Sequence, residues 1–343
     1  MDKEILLGKS LSEIKSIVTK IGMPAFTAKQ ICDWLYKKNI ESIDEMSNLS
    51  LANRNLLKEH FIFGLSKAIQ CQTSVDGTKK YLFKVQSNKK GEHAVESVFI
   101  PDEDRATLCV SSQSGCRMGC GFCATASQGF HQHLSANEII NQVKSIPESA
   151  QLTNFVFMGM GEPLDNIDEV LKSIEILTSE WGFAYSPRRI TVSSVGVLPA
   201  LHRFIDECQC HLAISLHTPI EEQRQLWMPA QKAYPISEGI EVLRQHDWAH
   251  QRRLSFEYIM FKGLNDSPLH AKNLVKMLKG LDCRVNLIPY HKVEGLNFEA
   301  SSEENILIFR NLLTQKGLFC SIRTSRGQDI KAACGLLATT SIT

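Results

Sequence analysis

From Asp104 onward the chain alternates short β-rich runs with helical stretches, and this alternation constrains the fold more than any other feature of the sequence. The runs fall at 107–111, 154–158, 189–193, 211–216, 254–261 and 284–289. Strands joined through helices need crossover connections, which produce a parallel sheet covered by those helices. Six such strands predict an α/β fold with a partial or full (β/α)6 barrel, its chemistry gathered at the C-terminal strand ends. Ser135 opens one of the helices, and Glu138 three residues later completes a capping box.

The preceding text has other periods. Residues 11–64 read as helical, with Thr27 and Gln30 predicting a second capping box and Ile31, Trp34 and Leu35 on one face. The runs 80–85 and 94–100 alternate as strands across the polar turn SNKKG, which predicts a β-hairpin. A chain of 343 residues exceeds one ordinary core. The expected division is a small helical N-terminal accessory domain at 1–65, a linking β-hairpin at 66–101 and a catalytic core at 102–335.

Eleven cysteines in a large chain, with no apolar run near the roughly 18 residues of a membrane helix and no secretory leader, point to metal or redox chemistry in the cytoplasm. A net charge of +1 does not announce a nucleic-acid binder, so any phosphate footprint must be local. The candidates are Lys79/Lys80, Lys89/Lys90, Arg188/Arg189, Arg252/Arg253 and Arg323/Arg326.

Cys116, Cys120 and Cys123 follow the first barrel run with C-x-x-x-C-x-x-C spacing in a glycine-bearing loop. Three thiolates on an iron–sulfur cube, which ordinarily takes four, leave one iron open to a substrate. Structural zinc would require a fourth ligand, for which His131 and His133 are near in sequence. A Gly161-Glu162 pair follows the second run, and polar groups recur at later strand ends: Ser193 on the third, Ser215 and His217 on and after the fourth, and Asn286 on the sixth. Together they describe a cofactor site, and the cysteine spacing matches that of radical S-adenosylmethionine enzymes.

The text Arg105-Ala-Thr-Leu-Cys109, Cys123-Ala-Thr-Ala-Ser-Gln-Gly-Phe130, Met160-Gly161-Glu162-Pro163-Leu164, Ile214-Ser-Leu-His217, Val285-Asn-Leu-Ile-Pro289 and Arg326-Gly-Gln-Asp-Ile-Lys-Ala-Ala-Cys-Gly335 resembles the RlmN/Cfr family of RNA adenine methyltransferases. The resemblance spans nearly the whole barrel and, more loosely, the helical N-terminal region. It implies a radical S-adenosylmethionine barrel with one [4Fe–4S] cluster on Cys116, Cys120 and Cys123. Two S-adenosylmethionine molecules are used per turnover, bound by Gly161, Glu162, Ser193, Ser215, Leu216, His217 and Asn286. It further implies a methyl-carrying Cys334, a Cys109 that resolves the enzyme–RNA adduct by forming a disulfide, and Glu96 as proton acceptor. On the residues alone, Glu96 would be an exposed hairpin carboxylate and Cys334 a packed small residue.

The expected product is 2-methyladenosine, in the peptidyl-transferase region of 23S rRNA and in tRNA 3′ of the anticodon. An electron donor such as flavodoxin and a monomeric state are also expected. The alternatives are the C8-methylating branch of the family, a radical enzyme acting on a protein or metabolite, and a non-catalytic zinc or iron–sulfur RNA-binding module. The text Ser193-Ser194-Val195-Gly196 departs from the family's commoner Ser-Thr-Ser-Gly.

Overall fold

The computed structural model describes residues 3–86, 93–248 and 252–338. Its centre is a ten-stranded sheet of β1 (Gln70–Thr73), β2 (Lys79–Val85), β3 (His93–Pro101), β4 (Ala106–Cys109), β5 (Asn154–Phe157), β6 (Ile190–Ser194), β7 (His211–Ser215), β8 (Leu254–Met260), β9 (Arg284–Pro289) and β10 (Phe319–Ile322). Their spatial order is their order along the chain. The ladders β1–β4 are antiparallel and β4–β10 parallel. Six of the seven parallel strands are those expected. The seventh, β10, is short and half-buried and alternates too weakly to stand out in the sequence.

Helices cover the parallel strands, among them Ala136–Lys144, Ile167–Thr178, Leu198–Glu207, Pro268–Leu278 and Glu303–Gln315. β8, an inner strand of the parallel sheet, is buried at all seven positions, with Ser255 and Glu257 turned to the lumen. The hairpin of β2 and β3 links the two regions by continuing the same sheet, since β3 pairs with β4. Its SNKKG turn, with Lys89/Lys90, lies outside the described residues.

The N-terminal region forms helices Leu11–Lys20, Thr27–Tyr36 and Leu51–His60 around Ile14, Val18, Ile31 and Leu35. It docks on the barrel through Tyr36 against Trp181 and Phe183, and through Lys172 to Glu13 at 2.7 Å. The capping box at Ser135 is present. The one expected at Thr27 is not: Thr27 is buried inside the helix and its hydroxyl donates to Pro24 O at 2.5 Å, so local back-bonding displaces the cap. Among the described residues no helix is long and apolar enough to cross a membrane.

The Arg252/Arg253 pair, alike in sequence, divides in the fold. Arg252 donates to Cys210 O, Ile205 O and Phe204 O and lies over the Phe204 and Trp248 rings, whereas Arg253 is exposed. Arg252→Ala, which leaves three carbonyls short of a charged donor, is expected to cost about 3 kcal/mol, and Arg253→Ala to stay within about 0.5 kcal/mol. Urea unfolding of the two variants checks this, and equal midpoints would contradict the division.

Candidate functional site

The three candidate cluster ligands sit on the loop between the short strand Gln113–Gly115 and the helix Ala124–Ser127. Gly115 sets its entry: at φ +72 a Cβ there would come within 2.0 Å of Gly129 O, the carbonyl that accepts from Cys116 N at 2.8 Å. Cys123 N donates to Cys120 O, and Gly121 N to Trp227 O. All three cysteines are free and half-buried. Burial pushes each thiol up, Cys116 to about 12, and Cys120 is raised further by Cys123 and Cys116. Three thiolates in one neighbourhood repel each other unless a cationic centre neutralises them. Among the described residues no three His, Cys, Asp or Glu side chains form a ready single-ion site. The histidines considered for zinc are engaged elsewhere: His131 stacks on His93 at 4.3 Å, and His133 lies at 3.1 Å from both Gln113 Nε2 and Arg117 Nη2. The donor set fits a cluster held by three thiolates.

Beside this loop, Glu162 is buried at the end of β5. Its Oε1 accepts from Leu164 N at 3.0 Å and its Oε2 from Val195 N at 2.9 Å, so it bridges the ends of β5 and β6. Gln113 Oε1 accepts from Glu162 N, and Gly161 at φ +99 permits this approach, since a Cβ there would lie 2.5 Å from Gln113 Cβ. Burial pushes the Glu162 carboxyl up to about 7 against the backbone N–H groups that lower it. A carboxyl so placed gains from an ammonium partner, as the amino group of a bound methionine moiety would provide. Ser193 and Ser215 face each other with Oγ atoms 3.5 Å apart. His217, at φ +59, accepts at Nδ1 from Ile259 N, and its ring meets Phe122 of the cysteine loop edge-on at 5.1 Å. Burial and the Arg224 charge push His217 down to about 3, so it is neutral with its proton on Nε2. Leu216 has its side chain wholly in the core, and only its backbone can serve the site.

A second group converges on a cavity of about 850 Å3 in the barrel lumen, whose wall includes Cys109, Cys334, Glu257, Asn286 and Arg323. Cys109, at the end of β4, is buried and pushed up to about 12 by burial and by Cys334, although 225 residues separate the two in sequence. Arg323 is raised by Cys334 first, and also by Glu257 and Cys109, and it shares the cavity wall with all three. Asn286 donates to Glu257 Oε1 at 2.7 Å and accepts from Ser321 Oγ. The other buried oxygen, Glu257 Oε2, has no hydrogen-bond partner and meets Arg323 only at 3.5 Å. Of the residues expected around the cofactor, Asn286 alone is in this wall; Gly161, Glu162, Ser193, Ser215, Leu216, His217 and the three loop cysteines are not.

Cys334 reaches this place because its segment is stitched across the fold. Gly335 O accepts from Ala124 N at 2.8 Å, Leu337 O from Thr125 Oγ1 at 2.7 Å, and Ala338 N donates to Glu96 Oε2 at 3.0 Å. Glu96 is buried, paired with Lys80 at 2.9 Å and raised by burial; it is not the exposed hairpin carboxylate that β-strand periodicity alone describes. Lys80 is thereby tied to Glu96 and Lys79 to Glu148 at 2.7 Å, which removes that pair from the phosphate candidates.

Glu257, Arg323 and Arg224 were not among the expected cofactor-site residues. Arg224, fully buried, donates to Val195 O and Ser215 O and clamps the ends of β6 and β7. Its signal in sequence is nil, whereas Glu257 could have been noticed as the one charge in the run LSFEYIM.

Residues 110–274 match the family model described as Radical SAM superfamily, and residues 5–63 that of the ribosomal RNA large subunit methyltransferase N-terminal domain. The chain is 57% identical to the probable dual-specificity RNA methyltransferase RlmN of Phocaeicola vulgatus, over 98% of this chain and 95% of that protein. It is 40% identical to the dual-specificity RNA methyltransferase RlmN of Syntrophus aciditrophicus, over 96% and 94%. The crystal structure of a radical SAM methyltransferase from Sphaerobacter thermophilus superposes with a TM-score of 0.90 at 36% identity, covering 97% of this chain and 99% of that one.

Two outcomes follow from this geometry. Cys116→Ala is expected to lose most of its iron after anaerobic reconstitution, because two thiolates hold a cube poorly; full iron content would remove Cys116 from the ligand set. The raised Glu162 keeps a proton in the folded chain that the unfolded chain releases from about pH 4.5. Its contribution to stability is therefore present at low pH and lost as pH rises to about 7, a fall of about 3 kcal/mol in the ligand-free protein. Urea midpoints across that window should fall less in Glu162→Gln than in wild type, and parallel slopes would contradict the burial.

Proposed function

Since the chain belongs to the RlmN family of radical S-adenosylmethionine RNA methyltransferases, we propose that it forms 2-methyladenosine in 23S rRNA and in tRNA by way of a methylated Cys334. The observation that carries the reading is the convergence of Cys334, Cys109 and Arg323 on one lumen cavity beside the cysteine loop. A simple hydrogen-abstracting enzyme needs neither thiol. The [4Fe–4S] cluster and S-adenosylmethionine supply the methyl group and a 5′-deoxyadenosyl radical.

The chain's own residues do the rest. Glu162, joined to the backbone of two strand ends, holds the cofactor's amino group, and Ser193, Ser215, Asn286 and the neutral His217 line the same end of the barrel. Cys334 carries the methyl carbon as a thioether and joins it to C2 of the adenine, a ring carbon too electron-poor for polar methyl transfer. The adduct of the Cys334 methylene radical with the ring must lose a proton and an electron: Glu96, its carboxyl raised by burial and its Oε2 on the backbone of the Cys334 segment, accepts the C2 proton, and the electron would pass to the oxidised cluster. The Cys109 thiolate then attacks the Cys334 sulfur: the S–C bond breaks with its electron pair on carbon, a proton completes the methyl group, and the two cysteines leave as a disulfide. Arg323, in the same cavity wall as both cysteines, lowers the Cys109 thiol against the burial that raises it and so favours the thiolate that this attack requires.

We assign the chain to the cytoplasm, as a monomer reduced by a flavodoxin-type donor, with units at 1–65, 66–101 and 102–335. Expression in a strain lacking its own enzyme should restore 2-methyladenosine to rRNA and tRNA, read by nucleoside mass spectrometry. Cys109→Ala should instead accumulate protein covalently joined to RNA. Wild-type protein whose Cys334 stays unmethylated after turnover would overturn the reading.

A further inference from the structure

The lumen cavity has a second end. Its wall runs from Cys334 and Cys109 to residues at the opposite rim of the barrel, where the parallel strands begin. Arg188 lies two residues before β6, His211 opens β7, Arg253 immediately precedes β8, and Arg284 opens β9. Seven arginines line the cavity against two carboxylates, Asp102 and Glu257, in a chain whose net charge is +1. Asp102 is shared by Arg105 and Arg326, and Glu257 faces Arg323. Arg189 is spent on Asn154 Oδ1. Arg188, Arg253 and Arg284 have no acidic partner among the described residues, and all three are exposed.

Their mutual field is visible in their neighbours. His211 is pushed down to about 4, by burial first and then by Arg253, Arg252, Arg188 and Arg284; Arg253 is lowered by burial and by Arg284. A like-charged cluster around the mouth of a cavity is destabilising unless an anion joins it. Beside it, Phe319 is 56% exposed, with the Arg284 guanidinium 4.7 Å from its ring centroid. An exposed aromatic beside unpaired arginines is the surface on which unstacked bases and their phosphates bind.

We propose that this arginine-rimmed mouth at the N-terminal end of the barrel is the port through which the target nucleotide enters, with Arg188, Arg253 and Arg284 binding the RNA phosphates that flank it and Phe319 offering a stacking face. The assignment rests on the function proposed above and adds the direction of entry and the residues that hold the strand. A flipped adenosine reaching Cys334 from this side leaves its backbone at the rim, where the unpaired charge is. It also explains how a chain of almost neutral charge binds RNA: the positive charge is concentrated on the wall of one cavity.

The triple variant Arg188→Gln/Arg253→Gln/Arg284→Gln tests this with a labelled tRNA transcript in fluorescence anisotropy over a range of KCl concentrations. Binding is expected to weaken at least tenfold near physiological salt. The slope of log affinity against log salt should fall by about 2, since each single-strand phosphate contact contributes about 0.7. Phe319→Ala should weaken binding without changing that slope, and the triple Arg→Lys variant should recover the slope, because charge rather than fork geometry sets it. Iron content and Cys334 methylation should stay at wild-type levels, which separates lost RNA binding from lost folding. A triple Gln variant with wild-type affinity and slope overturns the proposal. The two readings fail separately: a wild-type protein that binds the transcript but never methylates it contradicts the proposed function, whereas a variant that methylates with unchanged affinity contradicts only the port.

Discussion

Seven parallel strands hydrogen-bonded in chain order bring every strand's carboxyl end to one rim and every amino end to the other, and the placement of each functional side chain follows from that ladder. Glu162, Ser193, Ser215 and His217 are neighbours because β5, β6 and β7 are neighbours in register. Their positions are then tightened by cross-strand bonds, Glu162 to Val195 N and Arg224 to the carbonyls of Val195 and Ser215. Without the ladder these residues would be isolated polar groups on separate loops.

The barrel lumen stays polar at a cost, and the structure shows how the cost is distributed. Glu162, Glu257 and Arg224 are buried ionisable groups, each held by backbone or amide partners rather than by a tight ion pair. Such groups are expensive to desolvate, and a site that meets a charged cofactor recovers part of that expense only when the cofactor is bound. Glu257 Oε2 and Arg224 Nε, buried without a hydrogen bond, and Glu162, raised towards neutrality, are where the barrel is under-satisfied.

The C-terminal segment closes the machine. Three hydrogen bonds, to Ala124 N, Thr125 Oγ1 and Glu96 Oε2, carry residues 335–338 from the far edge of the sheet back across the cysteine loop to the hairpin strand β3. Glu96 thus anchors the segment that presents Cys334, and Lys80 across the hairpin holds Glu96. The accessory helices dock through Tyr36 and Glu13 on Trp181 and Lys172, and none of their residues lines the lumen cavity.

Much was legible in the sequence, because strand alternation, glycine-bearing turns and cysteine spacing are local properties of a chain. The six strands, the β2–β3 hairpin, the cap at Ser135 and the loop of Cys116, Cys120 and Cys123 all came from residues within a few positions of each other. Thr27 shows the limit of that reasoning, since its hydroxyl had a nearer partner in Pro24 than the helix end required. Arg252 and Arg253 show it again: adjacent arginines are equivalent as text, and only the packing of Phe204 and Trp248 turns one inward. Local pattern therefore sufficed for the succession of strands, the cysteine loop and the family resemblance. Only the packing of distant segments puts Cys109, Cys334 and Arg323 in one cavity wall, buries Glu96 and gathers three arginines from separate strands at one rim. Cys109 and Cys334 are 225 positions apart, and such groupings depend on how parallel strands register and tilt, which no local pattern encodes.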